Sequence, residues 1–160
     1  RGNPGPGGFA SIVVINGERV IELGGHDEHT TNNKMELKGV IEGLKVSLNN
    51  ITENIHDIKV YSDSKYVLQG ISSWIHNWKK NNWMTSAKKA VLNQDLWMDL
   101  DKTVKTVSQK NVSIEWNYVK GHADNPFNNR ADIIATTAAD TGETKIIYDG
   151  DFTTWHAHHS

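Results

Sequence analysis

The two-residue turn Asn16-Gly17 constrains the fold of this chain more than any other feature of its sequence. Asn-Gly between two apolar runs is the strongest short-range signal for a β-hairpin, because both residues tolerate the positive φ angles of a type I′ turn. Residues 9–15 read as a buried strand, and residues 19–23 read as the strand that returns beside it. The sequence therefore predicts two antiparallel strands near its beginning.

Composition and periodicity predict the remaining elements, and their order predicts a mixed sheet. Before the middle of the chain they are a glycine- and proline-rich loop over residues 1–8, a polar connection over residues 26–30, a helix from Thr31 or Asn32 to about residue 50, and a strand ending at Asp63. After it they are a helix capped by Ser64, a helix over residues 94–107, a strand over residues 112–118, a helix opened by Pro126, and an apolar run at residues 146–148. We expect the histidine-bearing tail that follows to be frayed. A strand followed by helices and another strand implies a parallel crossover, with helices on the faces of the sheet.

The composition is that of one globular domain. The chain has 160 residues, 37% hydrophobic and 22% charged, which is enough to bury a core. It contains no cysteine, which excludes disulfides, thiolate metal sites and cysteine nucleophiles. No apolar run approaches membrane-spanning length and no signal peptide is visible, so we expect a cytoplasmic protein that does not bind membranes. The net charge of −2 argues against indiscriminate coating of nucleic acid but allows a local basic patch.

Three acids on different elements are candidates for one site. Asp63 follows a short β-branched and aromatic strand, and active-site crevices form at the carboxyl ends of strands in open α/β sheets. The alternative for Asp63 is that it caps the helix that follows. Glu36 and Asp132 each lie on a helix whose same face carries small residues, which leaves room for a metal ion or a phosphate. A solvated or capping role remains the alternative for each acid taken alone.

Carboxylates without cysteine favour Mg²⁺ or Mn²⁺ over zinc, since these ions prefer oxygen ligands. A pair of such ions catalyses phosphoryl-ester hydrolysis by activating the attacking water and stabilising the leaving oxygen. His122 lies in a glycine-containing loop shortly before Asp132, and it is a candidate for proton transfer at neutral pH or for helping product to leave. The alternative is a surface histidine without a catalytic role.

Several motifs closely resemble bacterial type 1 ribonuclease H, and they occur in that family's order. The matching segments are residues 2–8, 30–37, 62–64, 74–80, 95–97 and 119–132. The resemblance covers residues 1–141 and implies an α/β fold, a ribonuclease H-like mixed sheet with helices on both faces. It also implies metal-dependent endonucleolytic cutting of the RNA strand of RNA/DNA hybrids, which leaves a 5′-phosphate and a 3′-hydroxyl. Residues 1–141 are then the ribonuclease H domain and residues 142–160 a C-terminal tail.

The resemblance assigns roles residue by residue. Glu36, Asp63 and Asp132 match three of the family's four metal-binding acids, and His122 matches its catalytic histidine. Short amides that reach a minor groove can test for 2′-hydroxyls, which makes the asparagines at positions 3, 32 and 33 candidates to contact the hybrid. The further candidates for substrate binding resemble the family's basic protrusion, and part of its aromatic stripe is expected to be core. The full set of substrate-binding candidates is Asn3, Asn32, Asn33, Lys65, Trp74, Trp78, Lys79, Lys80, Trp83, Lys88 and Lys89.

The sequence departs from the family at its beginning. In the family an Asp-Gly-Ser segment ends the first, central strand just before the glycine-proline loop, and these 160 residues begin after that point. We therefore expect the first strand and the fourth acid to be absent from this chain, with an empty central position, marginal folding and impaired catalysis. The apolar run that leads into Asp149-Gly150 is an alternative occupant of that position. Lys65 is a second departure, since many relatives have a glutamine there that touches the hybrid.

Two other functions remain open. A catalytically inactive module that binds RNA/DNA hybrids would also lack one metal acid. Another nuclease or an integrase of the same broad fold is a third possibility, although such proteins seldom share the tryptophan and lysine stretch. We expect a monomer in each case.

Overall fold

A computed structural model of the chain shows a five-stranded mixed sheet. The structure describes residues 5–30, 32–49, 51–62, 64–118, 126–127, 129–131, 133–134 and 145–159, without the side chains of residues 5–11, 23, 25–30, 32 and 145. The strands are β1 (Gly5–Ile15), β2 (Arg19–Thr30), β3 (Asp57–Ser62), β4 (Ser113–Tyr118) and β5 (Lys145–Asp151). Their order across the sheet is β4-β3-β1-β2-β5, in which only the β3–β4 pair is parallel.

Helices connect and cover these strands. They are α1 (Asn32–Leu48), α2 (Lys65–Gln69), a π-helical segment (Gly70–Trp74), α3 (Ile75–Lys80), α4 (Gln94–Gln109) and α5 (Phe152–His159). Helical backbone also occurs within residues 126–134. Among the helices that the structure describes, none has the length and apolarity needed to cross a bilayer.

The predicted hairpin is confirmed. Asn16 and Gly17 have φ angles of 53° and 69°, and the Glu18 N–H donates to the Ile15 carbonyl at 2.9 Å. The Asn16 side-chain oxygen also accepts from the backbone N–H groups of His56 and Asp57, at 2.9 and 3.0 Å. The turn residue therefore joins the hairpin to the start of β3.

Both hairpin strands extend beyond their predicted ends. Pairing continues from Ile15 and Arg19 as far as Gly5 and Thr30, so the predicted loop at residues 5–8 and the predicted polar connection at residues 26–30 are wrong. Glycines interrupt the apolar alternation on both strands, while backbone hydrogen bonding does not depend on side chains. The apolar alternation therefore ends before the hydrogen-bonded pairing of β1 and β2 does.

Alternation along the strands sends apolar side chains to two faces, and each face is covered. On one face, Val13, Ile15, Ile21, Ile58 and Val60 pack with residues of α1 and α4. On the other, which we call the C-terminal face, the buried residues are Ile12, Val14, Val20, Phe127, Ile134 and Trp155. The expected mixed sheet with helices on both faces is confirmed.

The centre of the sheet differs from the expectation of an empty position. β1 pairs directly with β3 in antiparallel register, from Ile12 opposite Tyr61 to Ile15 opposite Ile58. Adjacent pairing satisfies the facing backbone groups, so the expectation of stranded hydrogen-bonding groups between these strands is wrong. A separate strand was expected between β1 and β3. Instead these two strands pair with each other, and both contribute apolar side chains to the same core.

The C-terminal residues belong to the sheet rather than to a frayed end. β5 pairs antiparallel with β2 at the outer edge, so residues 145–150 do not fill the central position that was their alternative placement. α5 follows directly: its first turn is capped by the Asp151 carboxylate, which accepts from the Thr154 N–H at 2.9 Å. Trp155 of α5 is 1% exposed, and this burial explains why the segment is ordered. The predicted domain boundary after residue 141 lies outside the described residues.

Candidate active site and nucleic-acid interface

The carboxyl end of β3 passes into α2 through a serine cap. The Ser64 hydroxyl accepts from the Val67 N–H at 3.1 Å, and Ser64 is buried. The Ser62 hydroxyl accepts in turn from the Ser64 N–H at 3.1 Å. Ser64 is thus confirmed as the N-cap of α2. The alternative in which Asp63 caps this helix concerns a residue outside the described part of the chain and stays untested.

Glu36 lies on α1, as predicted, and its side chain is half-buried. The residues three, four and seven positions later, Gly39, Val40 and Gly43, are buried. Residues at these spacings share one face of a helix, so Glu36 lies beside small, covered positions. Room for a metal ion beside Glu36 stays a prediction.

The structure does not bring the predicted catalytic residues together within the residues it describes. Asp63, His122 and Asp132 lie outside them, as does Asn3, and so does the side chain of Asn32. In the described part of the chain, no group of three or more histidine, aspartate and glutamate side chains is arranged to hold a metal ion. Glu36 is the one predicted metal ligand in that part, and convergence of the three acids stays a prediction.

A buried carboxylate that the sequence did not single out lies on the C-terminal face. Glu22 of β2 is 1% exposed. It accepts two hydrogen bonds from the Arg130 guanidinium, at 2.8 and 3.0 Å, and a third from Trp155 Nε1 at 2.8 Å. Glu22 was missed because an acid in an alternating strand normally indicates the solvent face, and nothing local identifies partners from distant segments.

Tyr61 on β3 also lies on the C-terminal face. Its ring stacks on Phe127 with the centroids 3.8 Å apart and the planes 3° from parallel. Burial, with smaller contributions from Glu115 and Asp57, raises the pKa of Tyr61. The phenol therefore stays neutral at physiological pH and contributes packing rather than charge to this end of β3.

The predicted aromatic stripe is largely a packing cluster. Trp78 has its ring centroid 5.9 Å from Trp74, 6.4 Å from Trp83 and 5.3 Å from Trp97. The Tyr66 hydroxyl accepts from Trp97 Nε1 at 3.0 Å. The expectation that part of the stripe is core is confirmed, and substrate contact by Trp74, Trp78 or Trp83 stays a prediction.

The lysines that follow the cluster differ in their surroundings. Lys79 donates to Asp101 at 3.1 Å, and Lys105 reaches the other oxygen of the same carboxylate at 3.2 Å. The hydrogen bond that Lys105 donates to Asp101 is the main cause that raises the pKa of Lys105. Lys80, Lys88 and Lys89 are exposed like Lys79, but none of them forms an ion pair with a residue that the structure describes.

Two further predicted contacts are exposed near helix starts. Lys65 opens α2 and places its Nζ 5.9 Å from the centroid of the Tyr118 ring, at the carboxyl ends of β3 and β4. Asn33 lies in the first turn of α1 and is exposed. Both side chains are accessible to a large ligand.

The chain is similar to known proteins in both sequence and structure. The family model described as RNase H matches residues 1–140. The protein named Ribonuclease H from Thermosynechococcus vestitus is 46% identical over 135 residues, covering 84% of this chain and 80% of that protein. The one from Solibacter usitatus is 46% identical over 138 residues, covering 86% and 87%.

The solved structures give the same result for the fold. LC9-RNase H1, described as a type 1 RNase H with the type 2 active-site motif, aligns with a TM-score of 0.73 and 27% identity, covering 98% of this chain and 75% of that chain. A foamy viral protease-reverse transcriptase, solved in complex with dsDNA, aligns with a TM-score of 0.58 and 18% identity, covering 82% and 89%. The second likeness concerns the fold alone.

Proposed function

The chain belongs to the ribonuclease H family, and from that premise we propose that it is an endoribonuclease that hydrolyses the RNA strand of RNA/DNA hybrids. The observation that carries the proposal is the extent of the family match, because residues 1–140 include every residue to which the sequence assigns a catalytic role. We propose that Glu36, Asp63 and Asp132 hold divalent metal and that His122 moves a proton or assists product release.

The donor set fits Mg²⁺ or Mn²⁺. The proposed ligands are three carboxylates in a chain without cysteine, and hard oxygen donors suit these ions. Glu36 is half-buried, on the helix face that also carries Gly39 and Gly43. Bound divalent metal supplies activation of the attacking water and stabilisation of the leaving oxygen in phosphodiester hydrolysis. His122 would exchange a proton with the leaving group or the water near neutral pH.

Substrate recognition is proposed to divide between the two strands of the hybrid. The amides of Asn3, Asn32 and Asn33 would test for 2′-hydroxyls in the minor groove, which distinguish RNA from DNA. The lysines after α3 would contact phosphates of the DNA strand. Exposure of Asn33 and of the lysines at positions 80, 88 and 89 supports both roles. Lys65 is a further phosphate contact at the start of α2.

We also propose that catalysis by these 160 residues is impaired. They supply three of the family's four metal-binding acids, and β1 lies directly against β3 where the resemblance implies a central strand that carries the fourth. This pairing favours the second candidate function, a module that binds hybrids without cutting them. We further propose that the protein is a monomer that acts in the cytoplasm, which gel filtration and cell fractionation would test.

Thermal unfolding with Mn²⁺ tests the metal site. Three converging carboxylates repel one another, so a bound cation stabilises the folded state by mass action. We expect the melting temperature to rise by about 3–6 °C when Mn²⁺ is at roughly ten times its Kd. Asp63→Asn should remove most of this rise, whereas Glu53→Gln, at an exposed position, should keep it. No rise at millimolar Mn²⁺, or an equal rise in Asp63→Asn, would show that these acids form no metal site.

A further inference from the structure

The buried Glu22 carboxylate joins three segments that are far apart in sequence. Glu22 belongs to β2, Arg130 lies 108 residues later, and Trp155 of α5 lies 133 residues later. The Glu22 side chain is 1% exposed and the Arg130 side chain 25% exposed, so this ion pair is shielded from water. A carboxylate buried to this extent requires its partners, because an unpaired charge there would be strongly unfavourable.

The geometry restricts how Arg130 can lie. Its Nε and one terminal nitrogen each meet a different oxygen of Glu22, at 2.8 and 3.0 Å. Two parallel hydrogen bonds fix the plane of the guanidinium relative to the carboxylate, as a single contact does not. Trp155 Nε1 binds the same oxygen as Arg130 Nε, so the C-terminal helix fixes the carboxylate from a second direction.

Arg130 lies two residues before Asp132, which is a proposed metal ligand. We propose that Glu22 is a positioning residue that holds, through Arg130, the segment carrying Asp132, and that Trp155 completes this arrangement. The inference rests on the proposed function for the role of Asp132. The match to the family model covers residues 1–140, whereas Trp155 belongs to α5, so in this proposal a segment beyond the matched region supports the site.

The Phe127 ring gives the same segment a second, apolar attachment. It stacks on Trp155 with the centroids 4.7 Å apart and on Tyr61 at 3.8 Å. Ring stacking can hold the segment near the sheet, but it does not fix the position of the segment along β2. The ion pair does, because the two oxygens of Glu22 specify where Arg130 lies along β2. Removing charge from Glu22 should therefore loosen the segment while the stack keeps the protein folded.

The test measures Mn²⁺ affinity by titration calorimetry in the 160-residue chain and its variants, at a temperature where circular dichroism shows each to be folded. Glu22→Gln should weaken Mn²⁺ binding by about tenfold or more, as loss of outer partners of a metal site typically does. Trp155→Phe keeps the ring stack and the Arg130 pair, so it should weaken binding by less.

Asp149→Asn is the matched control, because Asp149 also links the C-terminal segment to β2, and the partner that the structure describes for its carboxylate is Arg19 rather than Arg130. It should leave Mn²⁺ affinity unchanged within about twofold. Equal losses of Mn²⁺ affinity in Glu22→Gln and Asp149→Asn would overturn the inference, because a general loosening of the sheet edge would then explain both losses.

Hydrogen exchange of peptides covering residues 126–134 separates this inference from the proposed function. Glu22→Gln should speed exchange there and Asp149→Asn should not. If the unmodified chain binds no Mn²⁺, the proposed metal site fails, and the exchange rates alone decide whether Glu22 positions the segment. Unchanged exchange in Glu22→Gln would overturn the positioning role in either case.

Discussion

At the scale of single residues, Asp149 fixes the last strand to its neighbour. Its carboxylate accepts from Arg19 Nε at 2.6 Å and from a terminal nitrogen of Arg19 at 2.5 Å. The hydrogen bond from Arg19 is the main cause that lowers the pKa of Asp149. A carboxyl whose pKa is lower in the folded than in the unfolded state stabilises the fold above the unfolded-state pKa, and this contribution disappears as pH falls through the folded-state pKa.

Replacing Asp149 with Asn should therefore destabilise the protein at pH 7 but not in acid. The loss at pH 7 should be at most about 1 kcal/mol, because both side chains are partly exposed and screened by solvent. Below the lowered pKa the variant and the parent should unfold alike. Urea unfolding between pH 2 and pH 7 measures both effects, and Glu53→Gln controls for general charge removal. A constant difference across that range would contradict the assignment to the ion pair.

The structural role of a residue was predictable from the sequence where its partners are near it in the chain, and not where its partners are distant. Asn16, Gly17 and Ser64 act within a few positions of themselves, so turn and cap preferences identified them. Glu22 depends on partners 108 and 133 residues away, and no periodicity encodes them. Glu36 was proposed as a metal ligand because of its small helical neighbours; these neighbours are buried, and the ligand role stays a prediction.

At the scale of elements, a π-helical turn separates α2 from α3, and its first residue is Gly70. A Cβ placed on Gly70 would lie 1.9 Å from Trp97 Cη2, so the glycine allows the π segment to touch α4. Gly70→Ala should destabilise the protein by about 1–3 kcal/mol through overpacking, as measured by chemical denaturation.

The matched control for Gly70 is the same substitution in a Trp97→Leu background, where the clashing ring atoms are absent. Gly70→Ala should there be neutral or slightly stabilising, since alanine is the better helix former. If the cost of Gly70→Ala is the same in both backgrounds, contact with Trp97 is not its cause. The sequence predicted a continuous helix here because this contact joins residues 27 positions apart.

The lysines after α3 are proposed to bind phosphates. Changing Lys80, Lys88 and Lys89 to Ala should weaken binding to hybrid and to duplex DNA alike, because phosphate contacts carry no sequence information. The slope of log affinity against log salt should flatten by about 0.9 for each phosphate of B-form DNA that the variant no longer neutralises. Lys79→Ala alone should change the slope less, since Asp101 already pairs with Lys79.

Fluorescence anisotropy over a range of salt concentrations gives these slopes, and Lys110→Ala, at an exposed site after α4, is the control. An unchanged slope in the triple variant would place the phosphate contacts elsewhere on the protein. The tryptophans beside these lysines are held in the aromatic cluster, which fits a role in supporting the lysines rather than in replacing them.

At the scale of the whole molecule, the mixed sheet with helices on both faces was predictable because the order of elements implies it. The positions of two strands were not predictable. β1 and β3 are neighbours because their backbones pair directly. β5 pairs with the outer edge of β2, and the helix that follows it buries Trp155 against the sheet. The position of a strand in the sheet depends on contacts between segments that are distant in sequence, and local sequence patterns do not contain this information.

The central proposal is that Glu36, Asp63 and Asp132 support ribonuclease H chemistry and that full activity needs a fourth acid. The direct test is cleavage of an end-labelled RNA strand, hybridised to DNA or left single-stranded, with Mg²⁺ or Mn²⁺. It compares the 160-residue chain with the same chain preceded by an apolar strand ending in Asp-Gly-Ser, and it uses Asp63→Asn in both as the control.

We predict little or no cutting by the 160-residue chain, and metal-dependent cutting by the extended chain that is confined to hybrid and leaves 5′-phosphate and 3′-hydroxyl ends. Asp63→Asn should abolish that activity. Equal rates with and without the added strand would contradict the impairment. A folded, extended chain that cuts no hybrid, or that cuts single-stranded RNA equally well, would contradict the proposed function itself.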